Sequence, residues 1–128
     1  MPFYQFTVSA GSAAAGKKAE VAAAVTAAHA QVTGAPREYV NCSFVEVPRG
    51  SIFAGGSAVE GSRMVGIIRQ GRSEQVKRKL MMALADAWAS ATGEPAGDIA
   101  LFVHEVPGYQ VMENGVLLPE ASEDRAPG

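Results

Sequence analysis

Residues 33–48 (TGAPREYVNCSFVEVP) recur without a gap as residues 92–107 (TGEPAGDIALFVHEVP), an offset of 59 positions. Thr-Gly-x-Pro opens both stretches and Glu-Val-Pro closes both. Self-similarity of this kind constrains architecture before any single motif is read, because each copy is one supersecondary unit that buries its apolar face against its neighbour. Carried backwards, the offset sets His29 opposite Trp88, Val8 opposite Ile67, and Met1-Pro2 opposite the region around Gly61. Two such units make one compact body with a pseudo-two-fold axis.

Each copy reads strand, helix, strand. Residues 3–8 alternate bulky and polar side chains, as a strand does, and Gly11-Ser12 interrupts the pattern. Residues 14–31 are alanine-rich, and Val21, Val25, Ala28 and Val32 form a stripe at helical spacing with His29 at its edge. Thr33-Gly34-Ala35-Pro36 ends that helix, since glycine suits a left-handed cap and proline cannot continue the turn. Residues 40–47 are the second strand. A glycine-bearing connector over 49–62 predicts a hairpin-like link, without the Lys-Ser/Thr that a phosphate cradle needs. In the second copy, residues 64–68 form a strand and Ser73 caps a helix running to about residue 91, with Val76, Leu80, Ala83, Leu84 and Ala87 inward. Residues 99–106 are the fourth strand, followed by a turn signal at Glu113-Asn114-Gly115 and a short apolar ending.

Crossover length dictates parallel pairing inside each unit. The expected fold class is therefore α+β: two fused strand-helix-strand repeats forming a four-stranded mixed sheet with two helices on one face. The other face and the sheet edges need cover, which neighbouring subunits are expected to supply. We expect one domain over residues 1–119, in repeats of about 1–58 and 59–119, and a flexible acidic tail over 120–128.

A net charge of −2 offers no electrostatic attraction to nucleic acid or to an anionic membrane. The run Lys77-Arg78-Lys79 lies inside a helix, where its members point in different directions and read as solvated surface. A lone cysteine, Cys42, cannot bridge within the chain and reads as a small packed residue of a reducing compartment. No apolar run is long enough to span a bilayer, and the first residues lack the pattern of a secretory signal, so a cytoplasmic location is expected. No metal is expected, because His29 and His104 sit in separate elements without clustered partners.

Several residues have a chemical reading beside a structural one. Pro2 follows a methionine that a residue as small as proline allows to be removed, and removal would leave a secondary amine able to take up and release a proton. Burial and neighbouring cations would favour the free amine; a carboxylate would favour the ammonium. Arg69 and Arg72 flank Gly71 at the start of the second helix and suit a carboxylate ligand, or stand as surface arginines. His29 reads as a satisfied core-edge histidine when taken alone, and Glu113 as an exposed acid beside a turn.

Taken together, these residues resemble the tautomerase superfamily, and within it the cis-3-chloroacrylic acid dehalogenase branch. The likeness runs from Pro2 to Pro119. It is carried by Pro2, the Ala-His-Ala run at His29 ahead of Thr33-Gly34, the Ile-Phe-Ala-Gly-Gly stretch at 52–56, the Arg69-Gln-Gly-Arg72-Ser73 turn, Glu105-x-Pro107 and Glu113-Asn114-Gly115. The resemblance implies a cofactor-independent enzyme, assembled as a homotrimer, in which an amino-terminal Pro2 moves a proton at the α carbon of a small carboxylate substrate. It further implies that Arg69 and Arg72 hold the carboxylate, that His29 orients the substrate and that Glu113 positions or activates water. The water-assisting tyrosine of the dehalogenating members corresponds to Phe102 here, and a phenyl ring can neither donate nor accept that bond. The resemblance thus points to enol-keto tautomerisation of a 2-oxo or unsaturated carboxylate, with weak or absent hydratase and dehalogenase activity. A dehalogenase or hydratase, a lyase of the malonate semialdehyde decarboxylase kind and a non-catalytic binding protein of the same fold are the competing readings.

Overall fold

The structure, a computed structural model, describes residues 1–121. A four-stranded sheet carries the fold, in the order β2-β1-β5-β6: β1 is Phe3–Ser9, β2 Asn41–Val47, β5 Ser62–Arg69 and β6 Ile99–Val106. β1 pairs parallel to β2, β5 parallel to β6, and the two units join through antiparallel pairing of β1 with β5, so the sheet is mixed. Two two-residue-strand hairpins, β3 (Phe53–Ala54) with β4 (Ser57–Ala58) and β7 (Met112–Glu113) with β8 (Val116–Leu117), follow β2 and β6 respectively. Among the described residues the α-helices are a short α1 (Ala13–Gly16), α2 (Lys18–Thr33) and α3 (Glu74–Thr92), with single 3-10 turns leading into β2, β6 and β7.

Alternation in β1 and β5 sends Tyr4, Phe6, Val8, Met64 and Ile68 into one core with Val21 and Val25 of α2 and Leu80, Leu84 and Trp88 of α3. Fully burying each such apolar side chain is worth about 1.5–3 kcal/mol. Phe6 stacks on Phe44 of β2 with ring centroids 5.0 Å apart. The buried sets of the helices coincide at three positions, Val21 with Leu80, Val25 with Leu84 and His29 with Trp88, and Thr92 adds a fourth in α3. His29, expected at the stripe's edge, is thus part of its buried line, while Ala28, Val32, Val76, Ala83 and Ala87, expected inward, are half-buried.

The recurring Thr-Gly-x-Pro motif has a physical explanation in the two helix ends. Thr33 Oγ1 donates to the His29 carbonyl at 2.7 Å and accepts from Ala35 N at 3.2 Å, while Thr92 Oγ1 does the same with Trp88 and Glu94 at 2.8 and 3.2 Å. Gly34 and Gly93 then take the same left-handed conformation, φ 79° and ψ 4°, each returning its N–H to the carbonyl four residues earlier. A Cβ opposes that conformation and glycine has none.

The uniform offset of 59 breaks down at the strands. Phe3 pairs with Asn41 in the first unit, whereas Ser62 pairs with Ile99 in the second, a spacing of 38 residues against 37. The extra residue lies where the first unit enters its helix: α1 stops at Gly16, Lys17 leaves helical geometry (φ −129°), and α2 begins afresh, whereas α3 runs unbroken from the Ser73 cap. The expected single helix over 14–31 is thus two. The structural counterpart of Val8 is Ile68 and not Ile67: Val8 and Ile68 both face the core, and Ile67 faces the open side.

That open side, bare of helices, exposes Val45, Val65 and Phe102. Of the tail expected over 120–128, residues 122–128 lie outside the described residues. Ala121 is 6% exposed and donates its N–H to the Gln70 carbonyl at 2.9 Å, so residue 121 packs onto the body where flexible chain was expected.

Candidate active site

Antiparallel pairing of β1 with β5 places the start of β1 beside the end of β5, since Phe3 lies opposite Ile67. β6 runs parallel to β5 and ends at the same edge, and the turn after Arg69 leads into α3 there. α2 returns to that edge to begin β2 after residue 40, bringing His29 with it. Topology alone therefore gathers Pro2, His29, Arg69, Arg72 and the β7–β8 hairpin that carries Glu113.

Contacts confirm how close they come. The Met1 ammonium makes an ion pair with Glu113 Oε1 and donates to the Tyr39 carbonyl at 2.9 Å. The Pro2 carbonyl accepts from Asn41 N at 3.0 Å and from Asn41 Nδ2 at 3.3 Å, and the same amide reaches Glu113 Oε2 at 3.4 Å. Glu113 ends β7, immediately before a tight turn whose Asn114 and Gly115 both have positive φ. Such a turn matches strand twist and fixes the hairpin, and with it the carboxylate.

His29 is fully buried, and its Nδ1 lies 2.7 Å from the Tyr4 hydroxyl. Its Nε2 is buried and has no partner among the described residues. Burial, then the Arg72 guanidinium, then the amino terminus lower its pKa to about 3, so the ring is neutral. Burial raises the Tyr4 phenol well above its ordinary value, against the opposing pull of Arg72, so it too is neutral. The Cys42 thiol, pushed up to about 11 chiefly by burial, is not a nucleophile at neutral pH.

The two arginines differ. Arg69 is 2% exposed, and its Nη1 donates to the Pro119 carbonyl at 2.7 Å, tying the end of the second unit to β5. Arg72 is half-buried, donates to the Arg69 carbonyl at 3.4 Å, and is the guanidinium whose charge reaches Tyr4 and His29. The two guanidinium groups expected over the helix start thus differ in burial and in these backbone partners, Arg69 on Pro119 and Arg72 on Arg69.

Phe102 stands apart. It lies on the open sheet face, 56% exposed, paired with Val65 on the strand beyond β5 from β1. Among the described residues no hydrogen bond, ion pair or ring contact joins it to the cluster. Asn41 and the Tyr39 carbonyl were missed in the sequence, and nothing in residue type or spacing marks them: their role comes from β2 pairing beside Pro2.

At the opposite end of the sheet lies the second unit's counterpart of this cluster, a cavity of about 380 Å³ lined by Ser12, Arg49, Glu60, Gly61, Trp88 and Asp98, among others. Trp88 stands there where His29 stands at the first end. Gly61 continues the chain where the first unit has its start, and a Cβ on it would come 1.9 Å from the Asp98 carbonyl oxygen. Among the described residues, the first end combines Met1, a buried imidazole and a hairpin carboxylate, and the second does not.

The chain resembles known proteins over almost its full length. The Tautomerase_3 family model, described as "Putative oxalocrotonate tautomerase enzyme", matches residues 1–126. The solved structure of N1, a member of the cis-3-chloroacrylic acid dehalogenase family, is 30% identical, with a TM-score of 0.85 over 92% of this chain and 84% of that one. Native fused 4-OT is 27% identical, with a TM-score of 0.80 over 90% of this chain and 94% of that one. A fused 4-OT described as a symmetric trimer shares the fold, at 20% identity and a TM-score of 0.81 over 90% and 94%. No curated protein matches by sequence. With a family model spanning nearly every residue and the duplicated strand-helix-strand body shared with its structural neighbours, the chain belongs to the Tautomerase_3 family of the tautomerase superfamily.

Proposed function

We propose that the protein is a cofactor-independent tautomerase that moves a proton between oxygen and carbon of a small 2-oxo or unsaturated carboxylate, using Pro2 as an amino-terminal amine. The observation that carries this reading is the convergence of the chain's first residues with Glu113, His29 and Arg72 at one end of the sheet. Once Met1 is removed, the Pro2 nitrogen becomes the amine of that cluster. In the forward reaction the Pro2 amine takes the enol O–H proton, the oxygen becomes a carbonyl, and the amine passes a proton on to the carbon α to that new carbonyl, ending as the free amine it began. Arg72, supported by Arg69, pins the carboxylate and offsets enolate charge, and neutral His29 supplies a hydrogen bond that orients the substrate.

Glu113 favours a second reading. A carboxylate beside the amine, 33% exposed, could activate water and so support hydration or hydrolytic dehalogenation. The Phe102 ring cannot assist that water from any chain, and its assignment to the substrate site needs a neighbouring copy. The exposed apolar residues of the open face and the trimeric fused 4-OT support a homotrimer, which would supply that copy. No helix is long and apolar enough to cross a membrane among the described residues, and a cytoplasmic location is part of the proposal.

An assay of enol ketonisation with phenylenolpyruvate, run beside an intact-mass measurement, tests the reading. Activity is expected only in protein lacking Met1, and Pro2→Ala should remove most of it without unfolding the chain. Full activity in protein that retains Met1 would refute the role of Pro2.

A further inference from the structure

We propose that Tyr4 is a positioning residue for His29: its phenol O–H donates to His29 Nδ1, which keeps the imidazole proton on Nε2 and presents that N–H to an oxygen of the bound substrate. The final clause rests on the tautomerase reading above; the hydrogen bond and the tautomer do not.

Counting hydrogens decides the direction of the bond. Both side chains are fully buried, and the 2.7 Å contact is the one found for either ring's polar atoms among the described residues. If Tyr4 donates, the pair leaves a single unmet donor, Nε2–H. If His29 donates from Nδ1, both the phenol hydrogen and the Nε2 lone pair stay buried without partners. An unmet buried polar group is costly, so the first arrangement wins. A doubly protonated ring would need both nitrogens to donate, and burial with Arg72 and the amino terminus nearby excludes that form at neutral pH. The remaining Nε2–H is a donor waiting for an acceptor, and the two charges that act on the ring, Arg72 and the amino terminus, belong to the catalytic end.

Packing holds the phenol in place. Tyr4 lies opposite Gly66 on β5, and a Cβ at Gly66 would come 2.7 Å from the Tyr4 Cδ1 atom, so the ring occupies the space a side chain there would take. The two rings meet edge-on at 66°, with centroids 5.7 Å apart. Among the described residues the second unit has no equivalent: Met64 and Trp88 stand at the corresponding core positions, and the buried Trp88 Nε1 has no hydrogen-bond partner. The pair is thus specific to the end that holds Pro2.

With only two histidines in the chain, His29 and His104, side-chain nitrogen NMR of histidine-labelled protein reads the tautomer directly. At neutral pH His29 should show an unprotonated Nδ1 and a protonated Nε2. Tyr4→Phe, which keeps the ring, should shift or split the His29 nitrogen signals and lower kcat/KM for an enol carboxylate about five- to tenfold. A parent protein with Nδ1 protonated, or with both nitrogens protonated, would overturn the proposal even if Tyr4→Phe failed to fold. So would a folded Tyr4→Phe protein that keeps either the parent nitrogen signals or the parent kcat/KM. Absence of turnover in the parent refutes the tautomerase reading instead and leaves the nitrogen spectrum to decide the Tyr4 bond.

Discussion

Gly66→Ala should destabilise the protein and disturb the catalytic end together. The new Cβ would sit 2.7 Å from Tyr4 Cδ1, 2.8 Å from Cε1 and 3.5 Å from Met64 Sδ, all within the buried core. Neither ring atom can retreat without moving the phenol off His29. Overpacking of this kind costs about 1–3 kcal/mol. The lower entropy of the unfolded alanine chain offsets about 0.4–1 kcal/mol of that. The net loss is about 1–2 kcal/mol, a fall in Tm of about 4–8 °C for a domain of this size. Denaturant and thermal unfolding at fixed protein concentration would measure it, since any assembly of copies makes stability depend on concentration. Gly97→Ala is the internal control: nothing lies within 4 Å of its Cβ and its φ is not positive, so it should leave Tm almost unchanged. A Gly66→Ala protein as stable as the Gly97→Ala control, with unaltered His29 nitrogen signals, would refute the claim that the Tyr4 ring is fixed by its fit against Gly66.

Arg72→Ala should weaken use of a carboxylate substrate, raising KM about 10- to 100-fold through loss of a charge-assisted contact, and leave Tm nearly unchanged. Arg69→Ala should in addition lower stability, because Arg69 is buried and bound to the Pro119 carbonyl; equal Tm losses in the two variants would contradict the division of roles drawn here. The His29 shift predicts a pH effect on folding. With the folded-state pKa lowered from 6.5 to about 3, the unfolded chain binds the extra proton, so this contribution is fully present above pH 6.5 and is lost as pH falls toward 3. Its slope approaches about 1.4 kcal/mol per pH unit, and His29→Gln should flatten the unfolding curve between those limits. Phe102→Tyr should raise halide release from cis-3-chloroacrylate, the gain vanishing again with Glu113→Gln, while ketonisation changes little; a parent that already dehalogenates efficiently, unimproved by Phe102→Tyr, would remove Phe102 from the water position.

Local signals in the chain were enough for the body of the fold. Thr-Gly-x-Pro acts over one short stretch, residues 29–35 and again 88–94, capping each helix by hydroxyl and glycine geometry, so its recurrence is readable without any partner segment. The apolar stripes and the Asn114-Gly115 turn are local in the same sense. Pro2, His29, Arg72 and Glu113 could be singled out as residue types, and the resemblance joined them. The register of the first strand was not legible, because one additional residue at the break between α1 and α2 changes which face Ile67 takes, and side-chain alternation tolerates no slip. Tertiary structure alone decided the rest. Antiparallel pairing at the centre put the chain's start beside its far hairpin, drawing Asn41 and the Tyr39 carbonyl into the cluster. It buried Arg69 against Pro119, brought the Arg72 charge to His29, and left Phe102 on the open sheet face. Those outcomes depend on contacts between segments dozens of residues apart, whose geometry is set by how two helices and four strands pack and not by any pattern written along one of them.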